Sequence, residues 1–152
     1  MPKNGKSRGI SRQRILIVDD EHFATHVLGR LLRRHGYIAA EVNDSTKALQ
    51  VARRFQPDVA LLDLHMPWKD GDEVAADFLS DKFLCSVPII FITADVLIQN
   101  ESTRSAPILL KPLSIEDLLA RVKEGVEGVA RKGGEMAGRE TEQEMFAESG
   151  VS

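Results

Sequence analysis

The sequence predicts an α/β fold, a single domain in which helices cover both faces of a parallel β-sheet. The first observation is that short apolar runs alternate regularly with segments whose apolar residues recur at helical spacing. The second is that residues 59–62 are apolar at every position, as in a strand that is covered on both faces. With 152 residues, 43% of them hydrophobic and 28% charged, the chain has room for one domain with a substantial core and short tails.

The first strand and the first helix are predicted between residue 15 and Gly36. Residues 15–18 are apolar and end at two aspartates. Apolar residues then recur at helical spacing: Phe23, Val27, Leu28, Leu31 and Leu32. Gly36 is suited to end this helix, because glycine tolerates the left-handed conformation common just beyond a helix C-terminus.

Two more strand and helix units follow. Residues 37–42 are predicted as a strand and residues 45–55 as a helix, which Pro57 stops. Residues 59–62 form the third predicted strand, and residues 72–83 can form the next helix.

The last third of the chain completes the alternation. Residues 87–92 are rich in β-forming residues, and residues 108–110 form a short strand before Lys111. The final helix begins at Ser114, whose Ser-Ile-Glu-Asp sequence resembles a capping box. Its predicted buried residues are Ile115, Leu118, Leu119, Val122 and Val126.

Two flanking segments are assigned outside this domain, which spans residues 14–130. Residues 1–13 are basic and are predicted to be a flexible, solvated arm, although such an arm can also contact phosphate or an acidic partner. Residues 131–152 are rich in glycine and glutamate and are predicted to be disordered.

Charge and composition exclude several classes of protein. The formal net charge of −3 gives no general attraction to nucleic acid or to an anionic membrane. No apolar run approaches the roughly 18 residues of a membrane span. The single cysteine, Cys85, rules out an internal disulfide. We therefore expect a cytoplasmic protein without membrane attachment.

Polar residues close four of the predicted strands: Asp19, Asp20, Asp63, Thr93 and Lys111. Taken one at a time, such residues have ordinary structural roles in helix caps, turns, strands or the protein surface. In a parallel sheet, however, the ends of these strands share one edge, where open α/β sheets bind ligands. The convergence of all five favours a functional site.

The chemistry of this set points to phosphoryl transfer assisted by a metal. Carboxylates about 5 Å apart repel by roughly 3 kcal/mol per pair at an effective dielectric constant near 20, which is about two pKa units. The cluster therefore calls for a cation, and ligands that are all oxygen suit Mg²⁺ or Mn²⁺. A carboxylate beside such an ion can attack a phosphoryl group, and an ammonium group can neutralise part of the transferred charge.

Four motifs together resemble a known family. They are Ile-Leu-Ile-Val-Asp-Asp-Glu at residues 15–21, Asp63 followed by Met66-Pro67 and Asp70-Gly71, Ile92-Thr93-Ala94, and Lys111-Pro112. In type, order and approximate spacing they closely resemble the receiver domain of two-component response regulators, over about residues 13–127. The resemblance implies a flavodoxin-like, doubly wound sheet of five parallel strands in the order 2-1-3-4-5, with five helices.

The resemblance also implies roles for the site residues. Asp63 would accept a phosphoryl group from a phosphohistidine on a sensor histidine kinase or a histidine phosphotransfer protein. Asp19, Asp20 and Asp63 would hold Mg²⁺, together with the backbone carbonyl of His65.

Further roles concern the phosphoryl group after transfer. Thr93, Ala94 and Lys111 would bind it and take part in switching, and the peptide bond between Lys111 and Pro112 would be cis. His65 and Asp95 would tune the lifetime of the acyl phosphate, although each is also an ordinary exposed loop residue. Trp68 is expected in the loop beside the site, as a shield, a partner contact or a packed anchor.

The chain departs from the family pattern between Thr93 and Lys111. This stretch is about four residues shorter than usual, which leaves residues 95–102 as a shortened or irregular fourth helix on the family's usual output surface. Ile108 stands where many relatives carry tyrosine or phenylalanine. The usual coupling between the threonine and an aromatic side chain is therefore in doubt.

The leading functional hypothesis is a signalling switch of a two-component phosphorelay that acts on an unknown protein partner. The alternatives are an interaction module whose output is not controlled by phosphorylation, and a phosphate sink for another regulator. An enzymatic role as an aspartate-nucleophile phosphatase is disfavoured, because His65 occupies the place of its second aspartate. Direct binding to nucleic acid is not favoured, and homodimer formation stays open.

Overall fold

The structure is a computed structural model that describes residues 12–95 and 106–128. The predicted tail lies outside these ranges, as does the predicted arm apart from its last two residues. Of the predicted fourth helix, only Asp95 is described. These three predictions therefore stay predictions.

Five parallel strands form one sheet. They are β1 (Arg14–Val18), β2 (Ile38–Val42), β3 (Val59–Asp63), β4 (Ile89–Thr93) and β5 (Ile108–Leu110). Their order across the sheet is β2-β1-β3-β4-β5, and every neighbouring pair is parallel. This confirms the predicted doubly wound fold and its strand order.

Four helices of the described chain pack on this sheet. They are α1 (His22–Arg34), α2 (Ala48–Phe55, entered through a 3₁₀ turn at Ser45–Lys47), α3 (Gly71–Leu79) and α4 (residues 115–128). Among the described residues, no helix is both long enough and apolar enough to cross a membrane.

The core forms one apolar layer on each face of the sheet. Alternate strand residues such as Leu16 and Leu62 join a cluster that includes Phe78 of α3. Their neighbours along the strands, such as Ile17 and Leu61, join a second cluster on the other face with residues of α1 and α4. Because both faces are covered, the strands need apolar residues at successive positions, as their sequences indicate.

The end of α1 follows the sequence prediction. Gly36 has a φ of +93°, its N–H donates to the carbonyl of Arg33 at 3.1 Å, and the N–H of Tyr37 donates to the carbonyl of Leu32 at 3.1 Å. This pair of bonds is the Schellman arrangement, which satisfies the last carbonyl groups of a helix.

Part of the predicted core is exposed. Phe23 and Val27 of α1 are 80% and 45% exposed, and Ile115 of α4 is 49% exposed. The predicted burial of Ile115 is therefore wrong. On α1, Leu28, Leu31 and Leu32 are the leucines that pack on this sheet layer. The exposed side chains instead flank a groove between α1 and α4.

Helix α3 ends at Leu79, so the predicted end at Phe83 is wrong. Asp81 competes with the helix: its carboxylate accepts the N–H of Phe83 at 2.8 Å and binds the Arg53 guanidinium of α2 at 2.6 Å. This buried carboxylate turns the chain toward α2, and a side chain that bonds locally in this way favours a turn over a continuing helix.

Gly71 gives a test of how tightly β3 and α3 are joined. A methyl group there would collide with the backbone of Asp63 and Leu64, whereas one at Gly128 would meet no atom within 4 Å. We expect Gly71→Ala to lower the free energy of unfolding by about 1 to 3 kcal/mol, as overpacked sites do. Gly128→Ala should be neutral or stabilise by up to about 1 kcal/mol, because alanine favours helices.

Urea unfolding of the two variants and the wild type measures both effects. Equal stability of the two variants would show that the junction beside Asp63 is looser than the structure describes.

Candidate functional site

The strand ends bring the predicted site residues to one edge of the sheet. Asp63 and Thr93 are the last residues of β3 and β4, each one position beyond its predicted strand end. Asp19 and Asp20 follow β1 directly, and Lys111 follows β5. The carboxyl ends of neighbouring parallel strands thus carry all five side chains.

Three carboxylates converge at this edge. Asp19, Asp20 and Asp63 each offer a carboxylate oxygen, and these oxygens lie within 4.8 Å of one another. Asp19 and Asp63 are buried, and Asp20 is half-buried. The parallel pairing of β1 with β3 therefore holds together charges that repel each other.

Lys111 supplies one opposing charge. Its Nζ lies 3.2 Å from Oδ2 of Asp19 and 3.7 Å from Oδ1 of Asp63. One ammonium group against three ionised carboxylates leaves an excess of negative charge. Together with the all-oxygen donor set, this excess fits a hard divalent cation such as Mg²⁺.

The ionisation of Asp63 reflects this crowding. Burial and the charge of Asp19 raise its pKa to about 6, and Lys111 and a hydrogen bond from the His65 backbone offset only part of the rise. Burial alone would lower the pKa of Lys111, but Asp19 and Asp63 outweigh it, so that pKa is raised. The lysine stays charged beside the acids.

Thr93 and Asp95 meet beside the acidic cluster. The Thr93 side chain is buried, and its hydroxyl oxygen accepts the N–H of Asp95 at 3.0 Å. A hydroxyl that accepts in this way can still donate its own hydrogen. Ala94, between them, is exposed.

His65 and Asp95 face each other at the rim of the site. Nε2 of His65 lies 3.7 Å from Oδ2 of Asp95, and both side chains are partly exposed. The two residues predicted to tune the phosphoryl lifetime are thus neighbours.

The loop after β3 is held at both ends. The N–H of Gly71 donates to the carbonyl of Leu64 at 2.9 Å, and Asp70 forms a capping box with Glu73 at the start of α3. Between these points Trp68 has a φ of +65° and is 85% exposed. This exposure excludes the packed anchor, one of the alternatives for Trp68, and leaves a shield or a partner contact open.

The peptide bond between Lys111 and Pro112 is cis, as the resemblance implied.

Two features of the site escaped the sequence analysis. An apolar groove between α1 and α4 runs from Asp19 and Lys111 along Phe23 and Val27. Asn43, directly after β2, bonds to the main chain of Asp19. The signal for Asn43 was available, since it follows a strand at the same edge as the other polar residues.

Comparisons with known proteins agree with the fold. The family model described as "Response regulator receiver domain" matches residues 15–123. The chain is 37% identical over 117 residues to the DNA-binding response regulator MtrA of Mycolicibacterium paratuberculosis, covering 74% of this chain and 50% of that protein. It is 31% identical over 116 residues to the transcriptional regulatory protein PdtaR of Mycobacterium tuberculosis, covering 73% and 55%. The chain thus spans about half the length of these curated relatives.

Solved structures show the same fold. A CheY-like response regulator receiver domain protein of Methanospirillum hungatei matches with a TM-score of 0.72 and 24% identity, over 81% of this chain and 100% of that one. The chemotaxis protein CheY4 of Vibrio cholerae matches with a TM-score of 0.70 and 23% identity, over 75% and 98%.

The raised pKa of Asp63 predicts that the metal-free protein loses stability as the pH rises. The folded-state pKa of about 6 lies above the ordinary value of 3.8, so the folded protein binds the extra proton between these pH values. Stability that is present below about pH 4 is then lost as the pH rises through 6. We expect Asp63→Asn, which carries no charge, to be about 2 to 3 kcal/mol more stable than the wild type at pH 7.

Urea unfolding in EDTA at pH 4 and pH 7 measures this difference, which should vanish at pH 4. If the free energies of unfolding of the wild type and the variant differ by the same amount at both pH values, the crowding of charges around Asp63 is contradicted. Mg²⁺ at pH 7 should remove most of the wild type's deficit.

Proposed function

The chain belongs to the family of response regulator receiver domains of two-component systems, and from this premise we propose that it is a phosphoryl-accepting signalling switch. The observation that carries the proposal is the cluster of Asp19, Asp20 and Asp63 with Lys111 at one sheet edge. In this proposal Asp63 is the phosphoacceptor. The protein's chemistry is limited to its own phosphorylation and dephosphorylation.

Transfer begins with the Asp63 carboxylate. One of its oxygens attacks the phosphorus of a phosphohistidine, the new O–P bond forms, and the P–N bond breaks with its electrons returning to the imidazole. The raised pKa makes this oxygen more basic than that of an ordinary aspartate, while most of it stays ionised at pH 7. Burial also removes competing water from the reacting group.

Charge on the transferring group needs compensation. Mg²⁺, held by Asp19, Asp20, Asp63 and the backbone carbonyl of His65, would supply positive charge at the phosphoryl oxygens when bound. The Lys111 ammonium already lies 3.7 Å from Asp63 and can bind a phosphoryl oxygen there.

After transfer, residues at the end of β4 contact the phosphoryl group. The Thr93 hydroxyl can donate to a phosphoryl oxygen while it still accepts from Asp95. Ala94 follows at the same edge, and its small side chain leaves room for the group. His65 and Asp95, paired at the rim, would limit the access of water and so set the lifetime of the acyl phosphate.

The groove supports a protein as the phosphodonor. It begins at Asp19 and Lys111 and presents the exposed side chains of Phe23 and Val27, so an apolar helix that carries a histidine could lie beside Asp63. We therefore propose a sensor histidine kinase or a histidine phosphotransfer protein as donor. The downstream partner would be a protein, and direct contact with nucleic acid is not proposed. The cytoplasmic location and homodimer formation stay predictions.

One observation favours a second candidate, an interaction module whose output phosphorylation does not control. Ile108 in β5 is partly buried and packs against the core cluster that contains Phe78. Because Ile108 is aliphatic, this position offers no aromatic ring that could move between two positions. Coupling from Thr93 to the output surface would then need another route. A role as a phosphate sink also remains compatible with the site.

Phosphorylation by a small donor tests the proposed chemistry directly. With acetyl phosphate and Mg²⁺, the wild type should gain the mass of one phosphoryl group, because the acceptor and the compensating charges are present in one protein. Asp63→Asn should gain none, and EDTA should abolish the gain in the wild type. Intact-protein mass spectrometry measures the adduct.

Asp58→Asn is the matched control, because Asp58 is a half-buried aspartate at the opposite end of β3. It should form the adduct as the wild type does. An adduct that persists in Asp63→Asn would exclude Asp63 as the acceptor. The decay of the adduct in His65→Ala, compared with the wild type, reports on the rate-tuning role.

Beryllofluoride, a mimic of the phosphoryl group, separates a switch from a static module. A switch shifts an equilibrium between two forms, so amide resonances far from Asp63 should move on binding. We expect shifts in β5 and α4 of the wild type by heteronuclear NMR. Shifts confined to the residues around Asp63 would instead favour the module.

A further inference from the structure

Behind the acidic cluster lies a hydrogen-bond network centred on Asn43. Its Nδ2 donates to the backbone carbonyl of Asp19 at 2.8 Å and to the hydroxyl of Thr25 at 2.9 Å. The Thr25 hydroxyl in turn donates to the carbonyl of His22 at 3.1 Å. Because a carbonyl oxygen only accepts, the orientation of the Asn43 amide is determined by its partners.

The side chain of Asn43 extends the β1–β2 ladder by one bond. The last main-chain bond of this ladder runs from the N–H of Asp19 to the carbonyl of Val42 at 3.0 Å. In a continued parallel ladder, the carbonyl of Asp19 would next accept the N–H of Asp44. The Asn43 amide takes that place, so the main chain can turn at Asp44, whose carboxylate caps the following 3₁₀ turn.

This bond fixes the peptide unit that links two of the three converging carboxylates. The carbonyl of Asp19 belongs to the peptide bond between Asp19 and Asp20, and it is directed toward β2 by Asn43. The Asp19 and Asp20 side chains leave the chain on either side of this planar unit, which has no internal rotation. Holding the carbonyl therefore limits where both carboxylates can lie.

The network also ties the start of α1 to the same point. Thr25 is fully buried in the first turn of α1, and it receives the second hydrogen of the Asn43 amide. Three elements, β1, β2 and α1, thus meet at one half-buried amide. The repulsion between Asp19 and Asp20 acts against this arrangement, so an anchor outside the two carboxylates is needed.

We propose that Asn43 is a positioning residue for the divalent cation, because it holds the Asp19–Asp20 peptide unit in the orientation that lets both carboxylates face Asp63. The inference rests on the proposed function, since it concerns the same cation site. Asn43 itself lies behind the main chain and acts through Asp19. Partners of this kind typically change metal affinity by about 10- to 100-fold when they are removed.

Thr25→Val provides a matched comparison within the same network. It removes the hydroxyl at nearly constant volume but leaves the bond from Asn43 to the Asp19 carbonyl intact. Asn43→Ala removes both bonds. Both variants lose buried hydrogen bonds, so a purely structural role for Asn43 predicts parallel effects on stability and on metal binding.

The experiment measures two quantities on the full chain. Affinity for Mg²⁺ is measured by titration calorimetry at pH 7, with Mn²⁺ followed by its EPR signal as a second probe. The free energy of unfolding is measured in urea with EDTA. We expect Asn43→Ala to bind either ion about tenfold more weakly than the wild type, at the low end of the range for outer partners. Thr25→Val should bind close to the wild-type value despite its lost stability.

Each outcome decides the matter. Wild-type affinity in Asn43→Ala, or equal weakening in Thr25→Val, would overturn the positioning role while the cation site stands. A wild type that binds neither ion would overturn both this inference and the proposed function. Should Asn43→Ala be unfolded, Asn43→Gln keeps the amide but displaces it by one methylene group, and it is expected to weaken binding in the same direction.

Discussion

Asp19, Asp20 and Asp63 bring three carboxylates that repel one another to the same edge of the sheet. At separations below 5 Å, each pair of ionised carboxylates opposes folding by roughly 3 kcal/mol at an effective dielectric constant near 20. The sheet overcomes this cost with apolar layers on both faces, because residues 15–18 of β1 and residues 59–62 of β3 are buried at every position. This repulsion also allows a bound cation to act on the fold, because the positive charge relieves it. A ligand that relieves it can shift an equilibrium between two forms.

The loop after β3 also carries an unfavourable conformation, at Trp68. A φ of +65° is unfavourable for a residue with a Cβ atom, and an exposed indole forgoes the burial that aromatic side chains usually gain. Neighbouring bonds hold the conformation in place: the Pro67 carbonyl accepts both the N–H of Lys69 at 2.7 Å and the hydroxyl of Ser45 at 3.3 Å. The strain therefore lies between fixed points in the loop that follows Asp63, and backbone outliers tend to cluster at functional sites.

Most of the fold could be predicted from the sequence, because local patterns of residues indicate it. Apolar runs, glycine and proline breaks and polar strand ends all act over a few residues, and they located the sheet and the Asp63 edge. The predictions that failed depended on packing between elements that are distant in the sequence. The exposure of Ile115 depends on how much of α4 packs against the rest of the domain. The early end of α3 at Leu79 depends on the bonds of Asp81, including the one from Arg53. Neither the coverage of a helix nor a bond between distant residues can be read from local sequence patterns.

The position of the acidic cluster also explains why a complete set of site residues does not by itself determine whether a signal reaches another surface of the protein. The residues that we propose to accept and bind a phosphoryl group lie at strand ends, and the sheet fixes their positions independently of the helices. Transmission instead requires a packed element with two arrangements of similar energy. On the β5 side, Ile108 is held in the same cluster as Phe78, and an interior packed at close to crystal density offers it few alternative positions. Acceptance and transmission can therefore be separated in this fold, and the first does not guarantee the second.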